Sequence, residues 1–413
     1  MIQKFLKISF LCMVISVAVV TNAQTSPSHS RSKKVIAKPI EVSAWVPYWR
    51  KATGTAEALV HMNFFNELSP FAYTVKGDGT LFDAMKIDED PWVTLVATAK
   101  EKKVKIIPSI LWTNTDSIDK ILRSSKLRKN HVSAIVAMVK SHNFDGVDID
   151  YEGKDAKTKK YFSLFLHDLW YAIGNKVVSC TIEARTPLDA RFHVVPDTIE
   201  YANDYVAINK YCDRVRIMTY DQGTIDLTLN ASATGPYVPV ADSRWVEKVI
   251  NLAKQNISKN KIEIGVATYG YEYTVAPTAG GGYIYERETA FNPKYAQDIA
   301  TQFNITPTRN SAGELSFTYT PMSTPLTISS LPQATTTPSL DTGIFGETKV
   351  TNGTGSTTLG LATAIGQPMR LLWWSDAQSI QDKINLAKKL GVRGIAIFKI
   401  DGGAGSDLWN VVR

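Results

Sequence analysis

The chain of 413 residues carries a formal net charge of +7. No Lys/Arg block accompanies that mild excess, which excludes an electrostatic nucleic-acid surface. The length is roughly twice that of a modal domain, which one large α/β domain with an insertion absorbs.

The N-terminus reads as a targeting segment. Lys4 and Lys7 precede an apolar run over residues 8–20, followed by Thr21-Asn22-Ala23, which has the small-residue character of a cleavage site. A run of thirteen residues is short for a bilayer span. A secretory signal cleaved near Ala23 is therefore expected, with a periplasmic or extracellular product and no stable membrane insertion. Cys12 lies inside the run without the small residues that precede a lipidated cysteine. Cleavage lowers the net charge to +5, and residues 24–38, with their Ser and Lys, read as a flexible leader.

Beyond the leader, β-rich runs alternate with helical patterns. Candidate strands cover residues 42–49, 68–75, 104–111, 146–152, 178–183, 215–220, 262–269 and 394–400. Several are dominated by Val and Ile, as parallel strands covered on both faces require. Helical periodicity marks 90–102, with Trp92, Leu95 and Val96 on one face, and also 133–141, 157–173, 243–255 and 379–390. Eight strands with intervening helices predict an α/β fold, a (β/α)₈ TIM barrel over residues 39–413.

The rhythm breaks between the seventh and eighth strands. There residues 291–303 look helical, 314–320 look like a strand, and 322–366 are rich in Ser, Thr, Gly and Pro. These features predict an α+β insertion over 273–369, placed as one wall of a cleft above the barrel mouth. Two cysteines remain after processing, Cys180 and Cys212, and they form either a disulfide or two buried thiols.

Chemistry concentrates in the fourth strand, in FDGVDIDYEG over 144–153. Val147, Ile149 and Tyr151 alternate with Asp148, Asp150 and Glu152, the period of a β-strand. One face is apolar, and the other carries three carboxyls that repel one another and resist desolvation. An EF-hand is excluded because Gly146 and Glu152 fall at the wrong spacing. A solvated edge strand conflicts with the poor strand propensity of acidic residues. In a barrel, strand C-termini deliver functional groups to the mouth, so Glu152 is expected there, with Asp150 and Asp148 deeper. A carboxyl flanked by carboxylates holds its proton and suits a general acid. Asp145 precedes the alternation and is assigned a structural role.

Asp145-Gly-Val-Asp148-Ile-Asp150-Tyr-Glu152 resembles the D-G-x-D-x-D-x-E signature of glycoside hydrolase family 18, the chitinase family. IMTYD (217–221) is similar to that family's sixth-strand motif, ATYGY (267–271) to its seventh strand, and SDAQSIQDK with GIAIF to its last helix and strand. The resemblance covers roughly residues 40–409. It implies a glycosidase that retains configuration through an oxazolinium ion formed by the substrate's own N-acetyl group. By the same resemblance Glu152 is the acid/base and Asp150 orients the acetamido N–H. Asp148 shares a proton with Asp150, Tyr220 binds the acetamido oxygen, and Asp221 sits beside the reacting sugar. Met218 would line the pocket floor. Phe398 stands where the family usually has a floor tryptophan, which puts substrate preference in question. Tyr48, Phe71, Trp112 and Trp374 are further candidate sugar contacts, with Trp45, Trp49 and Trp373 as other aromatic candidates.

No cofactor or metal is implied. The expected partner is an N-acetylglucosamine-containing polysaccharide or oligosaccharide, bound by a monomer. Chitin-type oligosaccharides are the reading adopted. Peptidoglycan is the alternative, because the Tyr220-Asp221 and SDAQSI neighbourhoods also resemble members among bacterial cell-wall and spore-cortex lytic enzymes. A sugar-binding protein that has lost catalysis would typically replace the terminal Glu of the signature, and Glu152 is present.

Overall fold

The structure, a computed structural model, describes residues 39–320 and 368–412. The expected signal peptide with Cys12, the leader and the polar stretch 322–366 lie outside the described residues. Among the described residues no helix is long and apolar enough to cross a membrane.

Eight parallel strands close on themselves: β1 (Glu41–Pro47), β2 (Glu67–Val75), β3 (Lys105–Ile106 continuing as Ser109–Trp112), β4 (Gly146–Tyr151), β5 (Val177–Glu183), β6 (Arg214–Met218), β7 (Ile262–Ala267) and β8 (Gly394–Phe398). β1 pairs with both β2 and β8, which completes the barrel. Each predicted strand is present, with ends displaced by a few residues. The third is interrupted between Ile106 and Ser109, where Pro108 removes a backbone donor from the ladder. Helices wrap the outside, including Trp92–Glu101, Lys159–Ile173, Ser243–Ala253 and Ala377–Leu390. The predicted 133–141 helix is the C-terminal half of Ser125–Ser141, whose N-cap Ser124 accepts the N–H of Leu127. Lysines, arginine and His131 break the apolar pattern in its first half, which hid that half from the periodicity.

The outward faces of the strands are apolar and meet the helices. Tyr151 of β4 donates to Nε2 of buried His131 at 2.6 Å, and the imidazole Nδ1 donates to the Gly79 carbonyl at 2.6 Å. Cys180 on β5 is bridged to Cys212, which follows helix Tyr205–Tyr211, with Cα atoms 6.0 Å apart. The cysteine pair left open by the sequence is thus a disulfide.

Between β7 and β8 lies a second, antiparallel sheet with strands Gly270–Pro277, Tyr283–Phe291, Thr308–Arg309, Leu315–Tyr319 and Met369–Trp374, covered by helix Pro293–Gln302. Its first and last strands pair from Gly270↔Trp374 to Val275↔Met369. The expected 273–369 boundary therefore cuts through both. The chain passes from barrel to insertion where these strands pair, with no change in composition to mark the point. Glu314 ties the insertion to the barrel by accepting the N–H groups of Val240 and Ala241 at 2.9 and 3.0 Å.

Candidate active site

The inside of this barrel is polar. Strand alternation turns Asp148 inward, and its carboxylate accepts from Trp45 Nε1 at 3.0 Å, Ser109 Oγ at 2.7 Å and Thr181 Oγ1 at 3.0 Å. Arg216 of β6 lies 3.4 Å away and also contacts Glu263 at 3.1 Å and Glu67 at 3.4 Å. Trp45 covers that guanidinium at 5.0 Å. Burial outweighs the nearby arginines and pushes Glu263 up to about 7. This floor of opposite charges holds Asp148 from several sides.

Above it, Asp150 is 2% exposed, and its Oδ1 has no hydrogen-bond partner. Besides burial, the charge of Glu152 acts on it most strongly. The floor donors converge mainly on one oxygen of Asp148, and Asp150 feels the charges of both Glu152 and Asp148. Glu152 follows the last residue of β4, and its N–H bonds to the Trp112 carbonyl at 2.9 Å. Desolvation first, then the charge of Glu183, pushes Glu152 up to about 7, with Lys154 opposing. Asp150 is held well above the usual carboxylate range by burial and by Glu152, Asp148 and Glu183. Such a pair keeps a proton near neutral pH, which equips it for general acid catalysis.

Tyr220 and Asp221 follow β6. Burial and the surrounding carboxylates hold the Tyr220 phenol well above its ordinary value. Its ring stacks on Phe398 with centroids 5.6 Å apart and planes 18° apart. A Cβ at Gly265 of β7 would meet the Ile217 carbonyl at 2.5 Å and the Tyr220 ring at 3.0 Å, so only glycine leaves room for this stack. Asp221 adopts φ +56° and turns its carboxylate to the Tyr269 and Tyr271 hydroxyls, both donating at 2.7 Å. Burial raises Asp221, against these bonds and the nearby Arg287 charge. Tyr271 belongs to the insertion, so the second sheet contributes directly to this side of the mouth. Met218 ends β6 and is buried.

The aromatic candidates divide into two groups. Phe398 lies within 6.3 Å, centroid to centroid, of Trp45, Phe71, Tyr220 and Tyr269. Trp49 joins Phe71 at 5.8 Å and Tyr48 at 5.0 Å, which makes a continuous aromatic run. Trp112 and Trp374 are not brought to it. Trp112 faces outward, donating to Ser117 Oγ at 2.8 Å and packing on His131 and Tyr151. Trp374 is the centre of the insertion's own core, against Phe291 and Phe317. Both are 2% exposed and offer no face to a sugar. Trp373 is likewise buried and donates to Glu314 at 2.8 Å. Asp145 clamps the barrel's lower end by accepting the Ile106 N–H at 2.9 Å.

Sequence reasoning missed Arg216, Glu67, Glu263, Tyr269 and Glu183. The signal for the first three is the same alternation that exposed the acidic strand. Charged residues at every second position, as in Arg214-Val215-Arg216-Ile217 and Ile262-Glu263-Ile264, mark an inward polar face. Among the described residues no group of three His, Cys, Asp or Glu side chains is arranged to hold a metal ion.

The family model for glycosyl hydrolases family 18 matches residues 45–403. The cortical fragment-lytic enzyme of Bacillus subtilis is 25% identical over 291 residues, covering 69% of this chain and 53% of that protein. The chain spans about half the length of the curated relatives it first matches. Among solved structures, the Bacillus cereus spore cortex-lytic enzyme SleL superposes with a TM-score of 0.65 at 20% identity, covering 91% of this chain and 74% of that one. A chitinase from Chromobacterium violaceum gives 0.64 at 17% identity, covering 90% and 98%.

Proposed function

Since the chain belongs to glycosyl hydrolase family 18, we propose that it is a secreted retaining glycosidase that hydrolyses β-1,4 bonds beside N-acetylglucosamine. The observation that carries this reading is the Asp150–Glu152 carboxyl pair at the end of β4, with Asp150 buried and held well above the usual carboxylate range and Glu152 pushed up to about 7. Asp221, a further carboxylate of the mouth, accepts from two tyrosine hydroxyls through Oδ1. In substrate-assisted catalysis the nucleophile comes from the substrate's own acetamido group.

Glu152 donates its proton to the glycosidic oxygen as the bond from C1 breaks. The acetamido carbonyl oxygen closes on C1 to give the oxazolinium, whose N–H is oriented by Asp150 and whose charge Asp150 balances. Glu152, now a carboxylate, removes a proton from water as that water opens the ring. Tyr220 binds the acetamido oxygen, and Phe398, Trp49 and Phe71 supply apolar contact to the sugar rings. The Cys180–Cys212 disulfide supports export to an oxidising compartment, in line with the expected signal cleavage near Ala23.

Chitin-type oligosaccharides are the substrate proposed. A second reading, peptidoglycan strands, is favoured by similarity to the cortical fragment-lytic enzyme. Product analysis after incubation with chitin oligomers and with purified peptidoglycan tests both. The first-formed product should be the β-anomer. An inverted product, or no cleavage of any N-acetylglucosamine glycan, would end the proposal.

A further inference from the structure

Beside the acidic pair stands a second charged pair that the reaction above does not use, its lysine buried and its glutamate partly exposed. Glu183 ends β5, and Lys154 lies two residues beyond Glu152. Lys154 is 4% exposed, stands 3.8 Å from Glu183 Oε2, donates to the Tyr151 carbonyl and lies 4.8 Å from the Phe162 ring centroid. Glu183 Oε1 accepts the N–H of Gly153 at 3.1 Å, and Oε2 accepts from Asn203 Nδ2 at 2.6 Å. Arg185 in turn donates to the Asn203 carbonyl at 2.9 Å and stacks on Tyr201 and Tyr205.

The effect on the strand end is specific. Gly153 sits at φ +62°, and Thr115 Oγ1 donates to its carbonyl at 2.6 Å. The Gly153 peptides are therefore gripped by Glu183 on one side and Thr115 on the other, while the Glu152 N–H is held by β3. An ion pair largely withdrawn from water is weak as a stabiliser, since apolar replacement is often neutral. Its place beside the acid calls for another role.

We propose that Glu183 and Lys154 are positioning residues for Glu152: Glu183 fixes the turn that presents the acid, and the two opposite charges together set the pH range in which it can donate. This rests on the reading of Glu152 as the acid/base. The other groups facing Glu152 are Asp150, Asp221 and Tyr220; Arg287 acts on Asp221, while Lys154 acts on both Glu152 and Asp150. Glu183 and Lys154 act on Glu152 with opposite sign: the carboxylate retains the proton and the ammonium releases it.

The test compares pH profiles of kcat/KM for the native enzyme, Glu183→Gln, Lys154→Met and the double variant. The substrate is a chromogenic chitotrioside, or peptidoglycan strands if only those are turned over. Glutamine keeps an acceptor for Gly153 but no charge, so Glu183→Gln should move the alkaline limb to lower pH by about half to one pH unit. Lys154→Met should move it to higher pH, and the double variant should return it near the native position. A merely structural pair would lower activity at all pH values alike. Limbs that stay in place, or move in the same direction, overturn the proposal. If Lys154→Met fails to fold, the Glu183→Gln and double-variant limbs decide the matter. Glu152→Gln is the control: near-native turnover there would overturn the acid/base reading itself.

Discussion

The Arg216 guanidinium lies 3.4 Å from the Asp148 carboxylate at the centre of the barrel, with both side chains fully buried. The same guanidinium meets Glu263 and Glu67, so one cation faces three carboxylates. Arg216→Met should therefore leave uncompensated buried charge and cost about 3–5 kcal/mol. Urea denaturation should show this as a lower midpoint. An unchanged midpoint would mean that the carboxylates are neutral and the network is not ionic.

Glu152→Gln should lower turnover by about 10²–10⁴-fold while the fold persists. Asp150→Asn should also be severe, because it removes the charge opposite the oxazolinium. In the native enzyme, activity should fall as pH rises through about 7, where Glu152 loses its proton.

The same group makes a stability prediction. Its value is raised from 4.5 to about 7 on folding, so its favourable contribution is complete below 4.5 and is lost as pH rises through about 7. Glu152→Gln lacks that loss. Relative to the native protein it should gain up to about 3 kcal/mol in mildly alkaline buffer and nothing in acid. Paired thermal melts at the two pH values check this; equal differences at both would contradict the buried-acid account.

Phe398→Ala should raise KM about tenfold, equivalent to about 1.4 kcal/mol of binding, because it removes the ring stacked on Tyr220 at the floor of the mouth. Trp112→Ala should leave KM unaltered and act on stability alone, since its indole packs on the outer helices. Steady-state kinetics with thermal melts separate the two.

Cys180 and Cys212 are 32 residues apart in sequence. Loop-closure entropy gives a bridge of that span about 3–4 kcal/mol. Replacing both cysteines by alanine should lower stability by that order and leave kcat near native. A fall in kcat with unchanged stability would tie the bridge to the site.

The barrel, its eight strands and the acidic strand face were legible because each rests on local periodicity. Val-Ile runs separated by helices specify parallel strands, and Asp148, Asp150 and Glu152 at every second position specify one inward polar face. The candidate acid could therefore be picked from ten residues.

What the tertiary structure decided are the pairings between distant segments. Trp112 and Trp374 could not be told from Trp49 by sequence, because strand register decides which way an indole points. Alternation marks Arg216 and Glu263 as inward charges, but only closure of the barrel brings them and Glu67 into one cluster. The surroundings of Asp148 were likewise a three-dimensional matter: groups from β1, β3, β5 and β6 converge on its carboxylate. A sequence records which groups alternate along one strand. Only closure of the sheet sets the distances across the barrel, and charge coupling depends on those distances.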